Sequence, residues 1–225
     1  MRCVPSPDPA ASVLLLRESG SGFQVLMVER NARGFFADLL VFPGGGVDDY
    51  DVPAGHGRWD EASHRRAAVR ELAEETGILI TGKGTKTAPT GKGRAFYEKL
   101  PEVDVQSATG SLTLVSRWVT PELAPRRFDT RFYLATCDDS ARVTLDTDEL
   151  VAFDWVDPAD ALSRYEAGTM NLILPTLAHL RWLSRRSSIE DAFESASGAD
   201  GRTLIRPERM EDGSILPVHL PAEAV

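Results

Sequence analysis

Three glutamates fall within five residues in Arg70-Glu71-Leu72-Ala73-Glu74-Glu75-Thr76-Gly77-Ile78, and the surrounding signals are those of a helix. Asp60 is placed as an N-cap and Gly77 as the residue just past the end, so the pattern predicts a helix over Glu61–Thr76. Each helical residue advances about 100°. Glu71, Glu74 and Glu75 therefore share one face, one turn apart. Ala68, Val69 and Leu72 lie on another side and can pack inward. The acidic face falls in the C-terminal half, where the macrodipole disfavours anions. Carboxylates this close repel one another unless a cation sits between them. An oxygen-only donor set suits a hard cation, above all Mg²⁺ or Mn²⁺. The alternative is a solvated acidic helix face. The upstream turn, Phe42-Pro-Gly-Gly-Gly46, speaks for a site, because it can bring backbone amides close to whatever the carboxylates bind.

Composition narrows the setting. The chain has 225 residues, 42% hydrophobic, with 25 Lys+Arg against 34 Asp+Glu and a net charge of −9. That length suits one large domain or one domain with extensions. The acidic balance excludes a mainly electrostatic nucleic-acid binder but allows a small anionic ligand held by a local arginine cluster. Cys3 and Cys137 are the only cysteines, so there is no disulfide scaffold, and free thiols in a reducing compartment are the simpler reading. The run Val13–Leu16 is too short for a membrane span or a signal segment, and the final Ala-Glu-Ala-Val matches no targeting address. The expectation is a cytoplasmic protein that touches neither membrane nor nucleic acid.

Along the chain, residues 1–10 read as a flexible N-terminus and residues 186–225 as a C-terminal helix and tail. Ser12–Arg17 and Phe23–Arg30 read as a hairpin of strands buried on both faces. Leu39–Phe42 reads as a short third strand, and Asp48–Asp60 as a surface loop. Residues 81–93, rich in Gly, Lys and Thr, read as a flexible loop. The lysines 83, 86 and 92 fail the phosphate-loop spacing, since Gly93 follows Lys92. Leu112–Thr120, Phe128–Thr136 and Val151–Val156 read as strands. Asp157-Pro158 starts a helix with Asp as N-cap and Pro at the first position. A second helix over Leu174–Arg185 carries Ile173, Leu177 and Leu180 on one stripe, and a polar third spans Ile189–Ala196. The tail can form a hairpin around Glu211-Asp-Gly213. Trp118 and Trp155 read as core, and His56 and His64 as surface residues. The mixed order of elements predicts an α+β sandwich.

The nine residues Arg70–Ile78 match R-E-U-x-E-E-x-G-U, the second half of the box G-x5-E-x7-R-E-U-x-E-E-x-G-U, with U a bulky aliphatic residue. Val41-Phe42-Pro43-Gly44-Gly45 resembles the strand and turn that open it. On these residues the chain resembles the Nudix hydrolase family over residues 11–185. Counting back from Arg70 puts Ala62 at the first glutamate, with the loop before it lengthened by eleven residues. Asp60 or Glu61 is then the candidate substitute. The lengthened box, Trp118-Val-Thr-Pro121, Pro125-Arg-Arg-Phe-Asp-Thr-Arg-Phe-Tyr133 and Asp148-Glu149-Leu150 resemble the coenzyme A diphosphatase branch of the motif-nineteen type.

The resemblance implies a Nudix fold, a mixed β-sheet between α-helices with extra C-terminal helices. It implies Mg²⁺- or Mn²⁺-dependent hydrolysis of a nucleoside diphosphate linked to another moiety, with coenzyme A or an acyl-coenzyme A first. An ADP-ribose or nucleotide-sugar pyrophosphatase and a non-catalytic nucleotide sensor are the alternatives. A third reading makes the C-terminal helices a homodimer surface. Glu71, Glu74 and Glu75 are the implied metal ligands, and Glu71 or Glu74 the acceptor of the water's proton. Arg70 orients a box glutamate. Glu149 is a further base or ligand, or else an exposed loop residue. Gly44 and Gly45 allow close backbone approach to substrate. Of Arg126 and Arg127, one touches substrate and the other is solvated or ion-paired. Arg30 and Arg33 are weaker candidates for the same role.

Overall fold

The computed structural model describes residues 6–20, 22–30, 39–82, 84–122, 124–139, 141–198, 204–209 and 215–218. Arg33, Lys83 and the turn at Glu211–Gly213 lie outside them. Strands β1 (Asp8–Ser19) and β2 (Gly22–Arg30) form the expected hairpin, with Leu16 opposite Val25. β1 begins ahead of Ser12 because Asp8–Leu16 pair in parallel with β8 (Phe128–Thr136). The sheet thus reaches into the segment expected to be flexible.

Val13 to Leu16 are all fully buried because the two faces of β1 are both covered. Val13 and Leu15 pack with Ala68, Val69 and Leu72 of α1 (Glu61–Thr76). Leu14 and Leu16 pack with Leu180, Leu183 and Ala192 of α5 (Leu174–Leu183) and α6 (Ile189–Gly198). This is the expected sandwich. α6, expected to be polar, buries Ile189, Ala192 and Ala196.

Among the described residues nine strands form one mixed sheet. β7 (Thr113–Val119) lies antiparallel to β8. β10 (Leu204–Arg209) runs parallel to β7 and pairs with β11 (Ile215–Val218). On the other side β2 pairs with β3 (Leu40–Val41) and β9 (Leu150–Val156). β4 (Gly44–Gly46) pairs antiparallel with Ala10–Ser12 of β1. α1 has the expected bounds and ends on Gly77 at φ 70°, a conformation that favours glycine. α4 (Pro158–Glu166) is capped as expected, the Asp157 carboxylate accepting from the Ala159 and Asp160 N–H groups.

Three further readings need correction. Residues 81–93 are not all loop: β5 (Ile78–Thr81) and β6 (Gly84–Thr87) pair as a hairpin, with loop left at 88–93. The reason is tertiary, since Asp138 accepts from the Thr85 N–H and hydroxyl. Two unexpected helices follow, α2 (Arg94–Lys99) and α3 (Glu102–Gly110), anchored by Phe96, Val105 and Ala108. The segment 48–60 is not all surface, because a 3₁₀ turn at Asp49–Asp51 buries Asp51 completely. His64 is buried too, at 1% exposure, and desolvation lowers its pKa. No described helix is long and apolar enough to cross a membrane.

Candidate active site

The last two turns of α1 organise the site. Arg70 is 2% exposed and spreads its guanidinium over several acceptors. Nε and Nη2 each reach an Asp51 carboxylate oxygen at 2.9 Å, a fork-on-fork pair. Nη1 donates to Glu71 at 2.8 Å and to Glu74 at 3.4 Å, and Nη2 also to the Gly46 carbonyl at 2.9 Å. Burial would lower the Arg70 pKa, but the Asp51 hydrogen bonds and the surrounding carboxylates raise it above its ordinary value. The Tyr97 hydroxyl and the Asp48 N–H also donate to Asp51, at 2.7 and 2.8 Å.

This geometry settles which acid faces Arg70. Asp60 accepts from the Gly57 N–H and pairs with His56. Glu61 holds Arg65, Arg131 and the Tyr133 hydroxyl, tying the start of α1 to β8. Neither contacts Arg70; Asp51 does. Counted forward from Gly45, Asp51 sits at the G-x5-acid position of the box. The eleven extra residues therefore lie between that acid and Arg70, not before the acid.

The three glutamates meet the glycine strand. The Gly44 N–H donates to Glu75 at 2.8 Å. A Cβ on Gly45 would lie 2.5 Å from the Glu71 Cδ, so only glycine lets strand and carboxylate approach this closely. Glu71 is the far end of a flexible side chain and can give way. Gly45→Ala should therefore leave the thermal midpoint close to the parent's while it displaces Glu71. Turnover measured beside the melting curve checks this: a large loss of activity at constant midpoint is expected, and full activity contradicts the contact. Glu74 accepts from the Gly93 N–H at 2.7 Å.

A second shell of charge closes the edge. A register shift between Glu29 and Arg30 interrupts the β2–β9 ladder before its last pair, Arg30 with Leu150, and the Arg30 side chain lies 3.5 Å from Glu75 and 3.6 Å from Glu149. Lys92 pairs with Asp146 and, at 3.5 Å, with Glu149. The Asp146 N–H in turn donates to the Glu75 carbonyl at the helix end, at 3.1 Å. Three cations thus stand among seven carboxylates, Asp48, Asp51, Glu71, Glu74, Glu75, Asp146 and Glu149. Burial, opposed by Arg70 and helped by Glu74, pushes the Glu71 pKa up to about 7. Burial, opposed by Arg30 and helped by Glu71, pushes Glu75 up to about 8. Glu74 is raised for the same first reason.

As these side chains stand, no three acidic, His or Cys groups among the described residues converge to enclose an ion. Glu71 and Glu74 face Arg70, and Glu75 faces Gly44. The chemistry of the set still fits a hard divalent cation: the donors are oxygens, and negative charge exceeds positive.

Beside the glycine strand opens a cavity of about 800 Å³. Gly44 to Gly46, Arg30 and Glu149 line one part of it, and Phe42, Trp118, Phe128, Phe132, Leu174 and Pro175 supply an apolar wall. Arg126 also lines it, two-thirds exposed, over the Phe128 ring and 4.0 Å from Asp8. Arg127 does not line it and donates to the Thr120 carbonyl at 3.0 Å. Of the expected site residues, the structure thus brings together Arg30, Gly44, Gly45, Arg70, Glu71, Glu74, Glu75 and Glu149. It places Arg126 elsewhere on the same cavity and Arg127 outside it. Trp118 is core, as expected, yet also forms cavity wall; Trp155 is half-buried under Arg17.

Behind that wall His179 is 3% exposed, and burial lowers its pKa from 6.5 to about 4. The unfolded chain then binds more protons than the folded one between those values. Stability is fully present above pH 6.5 and falls by about 3 kcal/mol as pH drops to 4. Urea unfolding of the parent and His179→Gln across this range checks the sign: the variant should lose that much less.

Sequence reasoning missed Asp51, the Lys92-Gly93 loop and the Asp146 contact. Counting forward from Gly45 would have found the first. The other two depend on contacts far apart in sequence and carry no local signal.

Similarity to known proteins agrees with this geometry. The NUDIX domain family model matches residues 6–177. A Caenorhabditis elegans protein named putative nudix hydrolase 7 is 32% identical over 78% of this chain, which spans 60% of that relative's length. The Gallus gallus acyl-coenzyme A diphosphatase NUDT19 is 25% identical over 84% of this chain and 71% of its own. A crystal structure of a NUDIX hydrolase from Alicyclobacillus acidocaldarius superposes with a TM-score of 0.67 at 29% identity, over 85% of this chain and 97% of that one. The acidic helix end, the glycine strand against it and the domain match agree, and this chain belongs to the NUDIX domain family.

Proposed function

We propose that the chain hydrolyses the diphosphate of coenzyme A or an acyl-coenzyme A, with a divalent cation as cofactor. The observation that carries this reading is the cation-poor carboxylate cluster set directly against a glycine strand that lines a large, mostly apolar cavity. Glu71, Glu74 and Glu75 would hold the ion. When bound, it neutralises diphosphate charge and acts as a Lewis acid. Arg70 orients Glu71 and Glu74, and Asp51 holds Arg70. Glu71 or Glu74 accepts the proton of the attacking water. Arg30 offers a guanidinium to a phosphate oxygen at the cavity edge, in exchange for its contacts with Glu75 and Glu149. Glu149 is a further ligand or base. The cavity takes the part of the substrate beyond the diphosphate, and the likeness to the Gallus gallus acyl-coenzyme A diphosphatase supports coenzyme A there.

The test is a substrate panel with Mg²⁺: coenzyme A, acyl-coenzyme A, ADP-ribose, dinucleotides and nucleotide sugars, with products resolved chromatographically. Phosphopantetheine and adenosine 3′,5′-bisphosphate from coenzyme A are expected. Cleavage of ADP-ribose or sugar nucleotides alone would overturn the substrate and keep the chemistry. No cleavage of any of them, with Mn²⁺ as well, would favour a nucleotide sensor.

A further inference from the structure

His179 touches three aromatic side chains of the cavity wall without lining the cavity itself. Its ring lies 4.4 Å from Phe132, 5.9 Å from Trp118 and 6.0 Å from Phe42, centroid to centroid. Its hydrogen bonds fix its protonation. The Pro175 carbonyl, 2.6 Å from Nδ1, can only accept, so Nδ1 carries the proton. Nε2 is then the acceptor, and the Ser116 hydroxyl, at 2.7 Å, donates to it. That leaves the Ser116 oxygen to accept from the Trp118 indole N–H, at 3.1 Å. Every donor and acceptor in this chain is used once, in one direction. Ser116 and Trp118 are two residues apart on β7 and so lie on one face. All three side chains are about 3% exposed.

The Trp118 N–H is taken, and the His179 ring is neutral with both nitrogens occupied. The surface formed by Phe42, Trp118 and Phe132 therefore presents carbon and no free donor. A sugar placed there would lose hydration with nothing in return. An apolar group would gain.

We infer that Ser116 and His179 are positioning residues that hold the Trp118 indole in the cavity wall, where it packs against an uncharged, apolar part of a diphosphate substrate. This rests on reading the cavity as the substrate cavity. Hexanoyl-coenzyme A and ADP-ribose are the probes. Ser116→Ala leaves the indole N–H and Nε2 without partners and frees the ring. For hexanoyl-coenzyme A, KM should rise about tenfold, the equivalent of one lost hydrogen bond, with kcat within about twofold. Ser116→Thr keeps the hydroxyl and should restore KM. Affinity for hexanoyl-coenzyme A measured in chelator, without turnover, should weaken by the same factor in Ser116→Ala and recover in Ser116→Thr. ADP-ribose should bind more weakly than hexanoyl-coenzyme A to the parent and lose no affinity in Ser116→Ala.

An unchanged KM and affinity in Ser116→Ala, with only the melting midpoint lowered, would overturn the inference. So would equal losses for both probes. If the parent binds hexanoyl-coenzyme A without cleaving it, the hydrolase reading fails, and the affinity shift still decides the role of Ser116. If it neither binds nor cleaves it, both fall.

Discussion

Glu74→Gln should lower turnover of a diphosphate substrate by about 10²–10⁴, the usual contribution of a positioned proton acceptor. The midpoint of thermal unfolding should stay close to the parent's. Glutamine is nearly the same shape, and its carbonyl oxygen can still accept from the Gly93 N–H, which lies 2.7 Å from the native carboxylate. The lost contact is the longest in the Arg70 fan, at 3.4 Å, and Asp51 and Glu71 keep that guanidinium paired. The charge, by contrast, has no replacement: an amide can neither take a proton near neutral pH nor hold a hard cation as a carboxylate does. Steady-state turnover and a melting curve on one preparation make the comparison. Activity within a few fold of the parent would remove Glu74 from the mechanism.

Asp51→Asn should have the largest effect on stability. Arg70 and Asp51 are 2% and 0% exposed, and their two hydrogen bonds are both 2.9 Å. Removing one partner of a buried pair leaves the other charge uncompensated and costs about 3–5 kcal/mol. For a chain of this size that lowers the melting midpoint by on the order of 10 °C. The Tyr97 hydroxyl loses its charged acceptor as well. Turnover should fall too, since Arg70 is then free to pull Glu71 and Glu74 out of place. Asp60→Asn is the control: its side chain keeps an acceptor for the Gly57 N–H, and the midpoint should hardly move. Differential scanning calorimetry of both variants decides. Equal midpoints would mean that Asp51 does not anchor Arg70.

Much of this architecture was legible because its causes are local. α1 carries its own inward stripe and terminal glycine, and its bounds came out as expected, although Asp60 stands at the N-cap position without a capping bond from its side chain. The β1–β2 hairpin has a turn between two apolar runs, and α4 has Asp157-Pro158 at its start. The carboxylate face is a matter of helical periodicity alone. What escaped is held by partners distant in sequence. β6 is polar and half of it is exposed, and Asp138, more than fifty residues on, gives it a reason to be a strand. Asp51 is one of four aspartates in a stretch that reads as solvent-exposed, and its burial comes with its pairing to Arg70, nineteen residues on. An insertion has no fixed address in a one-dimensional count, so counting back from Arg70 put it on the wrong side of the acid. Arg126 and Arg127 are adjacent in sequence and differ only in which way the chain turns them.

Whether the acidic end of α1 hydrolyses a diphosphate with a divalent cation is decided on metal-stripped protein. Coenzyme A is incubated with it in chelator, then with Mg²⁺ or Mn²⁺ added back in excess, and phosphopantetheine is followed over time. No product is expected in chelator, and product should appear in proportion to the metal restored. Product formed at the same rate in chelator would rule out a metal-dependent reaction, and the absence of any cleavage of a diphosphate substrate once metal is restored would rule out the hydrolase.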